Sequence, residues 1–95
     1  MSLDPTLLHS LAERVGTPFW VYDAAVLRKR IRQVRALTQP PLIQARFAMK
    51  ACSATRVLKE MLAEDIWIDA VSGNEVLRAM HSGYPGGKNP QHFVA

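Results

Sequence analysis

The sequence predicts an α/β fold built on parallel strands, and three observations lead to that class. Apolar runs begin at Leu42, Ile66 and His92, so successive strands start about 25 residues apart, which leaves room for a helical crossover. Residues with helical periodicity fill the intervals between these runs. The 95 residues are 48% hydrophobic and 21% charged, as expected for one globular unit and not for a disordered chain.

A helix, a strand and a second helix are predicted before the first of these βα units. Asp4 and Pro5 are typical of a helix start, and Gly16 is typical of a helix end. The aromatic and β-branched run Phe19–Tyr22 predicts a short strand. Asp23 is placed to cap the second helix. The inward residues of that helix are predicted to be Leu27, Ile31 and Val34.

The first βα unit begins with a segment in which apolar and polar residues alternate. This period of two predicts a strand over Leu42–Met49 and places Lys50 on the same face as Arg46 and Ala48. Ser53 is predicted to cap the helix that follows. The buried face of that helix is predicted to carry Val57, Leu58, Met61 and Leu62.

The second unit repeats this order. Ile66–Val71 predicts a strand, and Ser72 and Glu75 have the spacing of a capping box at the start of the last helix. His92–Ala95 predicts the start of a third strand. The inward residues of the last helix are predicted to be Val76, Leu77 and Met80. Because a complete (β/α)₈ barrel takes about 250 residues, we expect this chain to be the front part of a larger α/β protein.

Composition excludes several classes of protein. The one cysteine, Cys52, cannot form an intramolecular disulfide, and the three histidines lack metal-ligand spacing, so we expect no metal site. No apolar run is long enough for a membrane span, and the first residues do not resemble a secretory signal, which favours a cytoplasmic protein. The net charge is +4, and five basic residues cluster on one predicted helix; they favour a solvated face over a nucleic-acid site. This cluster consists of Arg28, Lys29, Arg30, Arg32 and Arg35.

Two candidate catalytic residues follow neighbouring strands. Lys50 lies at the carboxyl end of one predicted parallel strand, and Asp69 occupies the matching place on the next. Parallel α/β sheets and barrels place their active sites at that edge. An amine there can act as a nucleophile towards a carbonyl cofactor, and a carboxylate can orient it; a surface lysine and a loop carboxylate are the alternatives. The capping box suffices to explain Ser72 and Glu75, and we interpret Cys52 as a packing residue.

Three blocks of the sequence, in the same order and spacing, resemble the diaminopimelate decarboxylases. The blocks are Gly16–Asp23, Arg46–Ser53, and Asp69–Glu75 with Ala79 and Gly83-Tyr84 after it. The resemblance runs from about Leu11 to the last residue. The wider group is the alanine-racemase-like, barrel-type pyridoxal-phosphate enzymes, which includes ornithine, arginine and carboxynorspermidine decarboxylases.

The resemblance implies a role for each candidate residue. Lys50 matches the lysine that forms a Schiff base with pyridoxal 5′-phosphate, and Asp69 matches the carboxylate beside it. Ser72 would line the same pocket and Glu75 would be a nearby acid, so all four are expected to bind the cofactor. The amino-acid substrate, meso-diaminopimelate, would lose carbon dioxide and become L-lysine in a homodimer with no nucleic-acid or membrane partner.

The resemblance also implies a division of the chain. Residues 1–23 would supply a helix and a strand of a separate β-domain, and residues 24–95 the first βα units of an incomplete pyridoxal-phosphate-binding TIM barrel. Ala54 departs from the family, which often has asparagine there. Because the family's phosphate-binding segment and substrate arginines fall beyond Ala95, we expect these 95 residues alone to be inactive.

Other functions stay open at this point. The chain could belong to another barrel-type decarboxylase or an amino-acid racemase, although Phe47–Ser53 favours the diaminopimelate enzyme. It could also be a non-catalytic pyridoxal-phosphate carrier or a truncated product without activity. The strand predicted at Phe19–Tyr22 argues against the carrier, because carriers are single barrels without a β-domain.

Overall fold

The computed structural model of the chain describes residues 3–38 and 42–86, and the backbone of Phe93–Val94. Helices and strands alternate in its second half, as the sequence predicts. The elements are α1 (Pro5–Val15), α2 (Ala24–Thr38), β1 (Arg46–Ala48), a 3₁₀ turn (Met49–Ala51), α3 (Thr55–Ala63), β2 (Trp67–Asp69), α4 (Gly73–His81) and β3 (Phe93–Val94). No helix among these residues is long and apolar enough to cross a membrane.

The three strands form a parallel sheet in the order β1-β2-β3. In β1 and β2, Phe47 lies opposite Ile68, and Ala48 lies opposite Asp69. Both strands are shorter than predicted. In the predicted Leu42–Met49 strand, a turn occupies the start and the 3₁₀ turn replaces the end, whereas β2 covers only Trp67–Asp69 of the predicted Ile66–Val71. Of the predicted strand His92–Ala95, the two end residues lie outside the described part of the chain. The α/β class with parallel strands is confirmed.

The predicted strand at Phe19–Tyr22 is wrong for this chain. These residues have no regular secondary structure, and Trp20 is 92% exposed. A strand needs a neighbour for its backbone hydrogen bonds, and none of the described strands pairs with this segment. Aromatic and β-branched composition alone therefore did not suffice to make a strand here.

The core lies between the sheet and the helices that follow its strands. On α3 the predicted apolar face is confirmed, with Leu58 fully buried. On α4 the prediction is partly wrong: Leu77 and Met80 are exposed, and the buried side carries Ala79, with Val76 packed against the core. The buried apolar residues are Ile31, Met49, Val57, Leu58, Met61, Ile66, Ile68, Ala70, Ala79 and Tyr84.

Val76 and Ala79 form the side of α4 that meets the core. Because they are three residues apart, they share one side of the helix. Leu77 and Met80 are 64% and 45% exposed. Val34 on α2 is likewise 48% exposed, so of the three predicted inward residues there only Ile31 is buried and Leu27 is partly buried.

A buried tyrosine ties the end of the second βα unit to its strand. Tyr84 is 2% exposed, and its hydroxyl donates a 2.6 Å hydrogen bond to the backbone carbonyl of Ile66. Burial raises the pKa of the Tyr84 phenol. The segment after α4 is therefore fixed against the residue that precedes β2.

The basic cluster stays exposed to solvent as predicted, with the Arg28 and Arg32 side chains 43% and 65% exposed, and ion pairs also join it to α3. Arg28 binds Glu60 through two hydrogen bonds of 2.8 and 2.9 Å, and Arg32 lies 2.9 Å from the Glu64 carboxylate. Arg35 donates to the backbone carbonyl of Glu64 at the end of α3. The sequence could not show this pairing because its partners lie about 30 residues away.

The Arg28–Glu60 pair gives folding a pH dependence. The hydrogen bonds and positive charge of Arg28 lower the pKa of the Glu60 carboxyl from its ordinary value of 4.5. A lowered folded-state pKa means that the stabilisation is complete above 4.5 and is lost as the pH falls through the lowered value. We expect the thermal midpoint of the wild-type chain to fall more between pH 6 and pH 3, roughly the range of that titration, than that of Glu60→Gln.

The matched control for this measurement is Glu13→Gln. Glu13 is exposed on α1, so its variant should follow the wild-type pH curve. Parallel curves for wild type and Glu60→Gln would show that the pair does not contribute.

Of the four helix starts in the described part of the chain, three have a side-chain cap and that of α3 has none. The Asp4 carboxylate accepts from the Thr6 N–H at 3.1 Å, and that of Asp23 from the Ala25 N–H at 2.9 Å, as predicted. The predicted cap at Ser53 is wrong: α3 begins one residue later, with Ala54 at the N-cap and no side-chain hydrogen bond. The first N–H groups of α3 therefore lack a side-chain acceptor.

Restoring a cap at this position should stabilise the chain. Ala54 has the extended backbone, φ −61° and ψ 128°, that an N-cap residue adopts. We expect Ala54→Asn to raise the free energy of unfolding by about 0.5–2 kcal/mol, measured by urea denaturation. Ala54→Val is the control, because valine supplies no acceptor and is, like alanine, a poor N-cap residue. An asparagine variant no more stable than the valine variant would contradict the assignment of Ala54 as the N-cap.

Candidate active site

Lys50 follows the carboxyl end of β1, as predicted, but a turn presents it. The strand ends at Ala48, and the Cys52 N–H closes the 3₁₀ turn by donating to the Met49 carbonyl at 3.1 Å. Met49 is fully buried and Lys50 is exposed. Because the turn breaks the period of two, the prediction that alternation places Lys50 on the face of Arg46 and Ala48 does not apply.

Asp69 is the last residue of β2 and lies at the same edge of the sheet. Its Cα pairs with that of Ala48, two residues before Lys50. The predicted placement of Lys50 and Asp69 at the carboxyl ends of adjacent parallel strands is thus found. No ion pair joins their side chains within the part of the chain that the structure describes.

Ser72 and Glu75 form the predicted capping interaction at the start of α4, directly after this edge. The Ser72 hydroxyl oxygen accepts from the Glu75 N–H at 3.2 Å. The Glu75 carboxylate accepts from the Val71 N–H at 2.8 Å. In a usual capping box the glutamate side chain accepts from the N–H of the N-cap residue itself. Here the Glu75 carboxylate accepts from the N–H one residue before the N-cap.

One contact beside the site was not predicted. The guanidinium of Arg46 lies over the ring of Trp67, 4.7 Å from its centroid, and the two residues are direct partners in the β1–β2 register. This cation–π contact joins the two strands two residues before the Ala48–Asp69 pair. Predicting this contact requires the strand register, and a single sequence does not reveal the register.

The other candidate groups do not extend the site. Cys52 is half-buried and packs against the core, in agreement with its interpretation as a packing residue. Within residues 3–38 and 42–86, no three histidine, cysteine, aspartate or glutamate side chains are grouped to hold a metal ion. His92 lies outside those residues.

The donor set of this edge suits a carbonyl cofactor. An exposed primary amine can condense with an aldehyde, and a carboxylate on the adjacent strand can orient the amine or a protonated nitrogen. The Ser72 hydroxyl and the Glu75 carboxylate, at the start of α4, are further polar groups in the segment that follows Asp69. The residues present therefore fit a cofactor held covalently at Lys50.

Comparison with known proteins points to one enzyme family. The diaminopimelate decarboxylase of Streptomyces coelicolor is 38% identical over 93 residues, which is 98% of this chain and 20% of that protein. The Escherichia coli K12 enzyme of the same name is 39% identical over 84 residues, 88% of this chain and 19% of its own. The enzyme of Buchnera aphidicola from Acyrthosiphon pisum is 35% identical over 94 residues, 99% of this chain and 21% of its own.

The likeness to these enzymes covers nearly all of this chain but a small part of each relative. No protein-family model and no solved structure matches the chain. The chain spans about one fifth of the length of the curated relatives it matches. The resemblance seen in the sequence is confirmed: along nearly all of its length, this chain is related to the diaminopimelate decarboxylases.

Proposed function

We propose that the chain is the N-terminal portion of a pyridoxal-phosphate-dependent diaminopimelate decarboxylase. The full-length protein would convert meso-diaminopimelate to L-lysine and carbon dioxide as a cytoplasmic homodimer. The observation that carries the proposal is the placement of Lys50 and Asp69 at the same edge of two adjacent parallel strands. The likeness to enzymes of this name over nearly the whole chain supports it.

Each candidate residue has a role in this proposal. Pyridoxal phosphate, when bound, supplies an electron-withdrawing ring that accepts the electron pair left by departing carbon dioxide. Lys50 holds the cofactor covalently through its amine, and Asp69 orients that amine from the neighbouring strand. Ser72 and Glu75 shape the pocket wall at the start of α4.

The proposal extends to the rest of the fold. The three parallel strands would be the first of a (β/α)₈ barrel. Residues 1–23 would join a separate β-domain, in which Phe19–Tyr22 would pair with a strand from outside the described part of this chain. The exposed apolar side chains Trp20 and Leu77 would be covered there or in the barrel.

A decarboxylation assay tests the proposal. The full-length protein, purified with pyridoxal phosphate, should release carbon dioxide from meso-diaminopimelate, and much less from ornithine or arginine at equal concentration. The 95-residue chain should release none. Preference for ornithine or arginine would assign another decarboxylase of the group. Inversion of an amino acid's configuration without carbon dioxide release would assign a racemase.

A further inference from the structure

The connection between β2 and α4 is closed by a side chain of the helix it leads into. Asp69 ends β2, Ala70 is fully buried, and Ser72 is the extended N-cap of α4 with φ −146° and ψ 160°. Between them, Val71 donates its N–H to the Glu75 carboxylate at 2.8 Å. The Glu75 N–H in turn donates to the Ser72 hydroxyl.

This arrangement constrains the segment immediately after Asp69. Asp69 itself is held by strand pairing with β1, Ala70 after it by burial, and Val71 by the Glu75 carboxylate. A hydrogen bond to a charged acceptor is stronger than one between neutral groups. Without that acceptor, the Val71 N–H would be left to solvent, since the Val71 side chain is 64% exposed and provides little anchoring.

We propose that Glu75 is a positioning residue, which acts on Asp69 by holding the Val71 N–H and does not touch the cofactor. The proposal rests on the proposed function and deepens it. It replaces direct cofactor contact as the role of Glu75. The chemical requirement at this position is then an acceptor oxygen that reaches the Val71 N–H, and the negative charge is secondary.

Two substitutions separate these roles. Glu75→Gln keeps an acceptor oxygen at the same distance along the side chain, and glutamine serves as well as glutamate at this position of a capping box. Glu75→Ala removes the acceptor and leaves a good helix former. Glu13→Ala, on the exposed surface of α1, is the matched control.

The first readout is amide hydrogen exchange at Val71 in the full-length protein, which does not depend on activity. Exchange should be about tenfold faster in Glu75→Ala, as expected for loss of one charge-assisted hydrogen bond. In Glu75→Gln it should change by no more than about threefold, and in Glu13→Ala not at all. Unchanged exchange in Glu75→Ala would overturn the proposal.

The second readout is the rate of decarboxylation at saturating substrate. A positioning role predicts that kcat falls roughly tenfold in Glu75→Ala and is largely retained in Glu75→Gln. Equal loss in both variants, with Val71 exchange preserved in Glu75→Gln, would show that the charge acts directly and would overturn the proposal. Absence of decarboxylation in the wild-type protein would instead refute the proposed function, and the exchange data would still decide whether Glu75 holds the loop.

Discussion

Lys50→Ala in the full-length protein is expected to abolish covalent attachment of pyridoxal phosphate and to lower kcat for meso-diaminopimelate by at least about a hundredfold. The reason is the position of the Lys50 amine at the carboxyl edge of the sheet. Lys50 is exposed on a turn whose neighbour Met49 is fully buried, so its amine is presented at the strand edge by a fixed backbone. Lys29 and Lys59, the other lysines in the described part of the chain, lie on α2 and α3. The measurement is a kinetic assay together with the mass of the purified protein.

Two further variants show what property of Lys50 matters. Lys50→Arg keeps the positive charge but lacks a nucleophilic amine, and should be as inactive as Lys50→Ala. Lys59→Ala removes an exposed lysine from α3 and should retain wild-type kcat. Activity in Lys50→Arg, or equal losses in Lys50→Ala and Lys59→Ala, would contradict the assigned role.

Leu58→Ala is expected to lower the free energy of unfolding of the 95-residue chain by about 2–5 kcal/mol. Leu58 is fully buried on α3, in the centre of the only core found among the described residues. Removing three carbons there loses apolar burial and leaves a cavity. Because a chain of this length has a small free energy of unfolding, this loss is a large share of it. Urea denaturation followed by far-UV circular dichroism measures the change.

A second leucine serves as the matched control. Leu77 on α4 is 64% exposed, so Leu77→Ala should change the free energy of unfolding by no more than about 0.5 kcal/mol. If Leu58→Ala prevents folding altogether, Ile68→Val on the fully buried centre of β2 gives a milder test, with an expected loss of about 0.5–1.5 kcal/mol. Equal losses in the two leucine variants would contradict the placement of the core.

Local signals predicted most of the fold. Helix periodicity located α3 and its buried residue Leu58, and side-chain chemistry located the caps at Asp4, Asp23 and Ser72. These features depend on residues within a few positions of one another, which is the range over which a sequence pattern acts. The spacing of the apolar runs predicted parallel strands because a parallel pair needs a crossover of a dozen or more residues between its strands.

The errors arose where the result depends on distant partners. Phe19–Tyr22 has strand composition, but a strand forms only beside another one. Leu77 is apolar, but α4 meets the core through Ala79 and leaves Leu77 64% exposed. The ion pair of Arg28 was not predicted, because its partner Glu60 lies 32 residues away on α3.

For the candidate site, the sequence predicted which strand ends carry its residues, but not the geometry around them. The rule that parallel sheets carry sites at their carboxyl edge was enough to select Lys50 and Asp69. The 3₁₀ turn that presents Lys50 and the contact between Arg46 and Trp67 depend on local geometry and on register, which the alternation of apolar residues does not encode. The bond from Val71 to the Glu75 carboxylate differs by one residue from the usual capping box and could not be foreseen.

Identifying the lysine that carries the cofactor tests the role of Lys50 most directly. The full-length protein would be loaded with pyridoxal phosphate, reduced with borohydride, digested and analysed by mass spectrometry. We expect the modified peptide to contain Lys50, and Lys29 and Lys59 to stay unmodified. Modification of a different lysine, or label spread evenly over many lysines, would contradict that role.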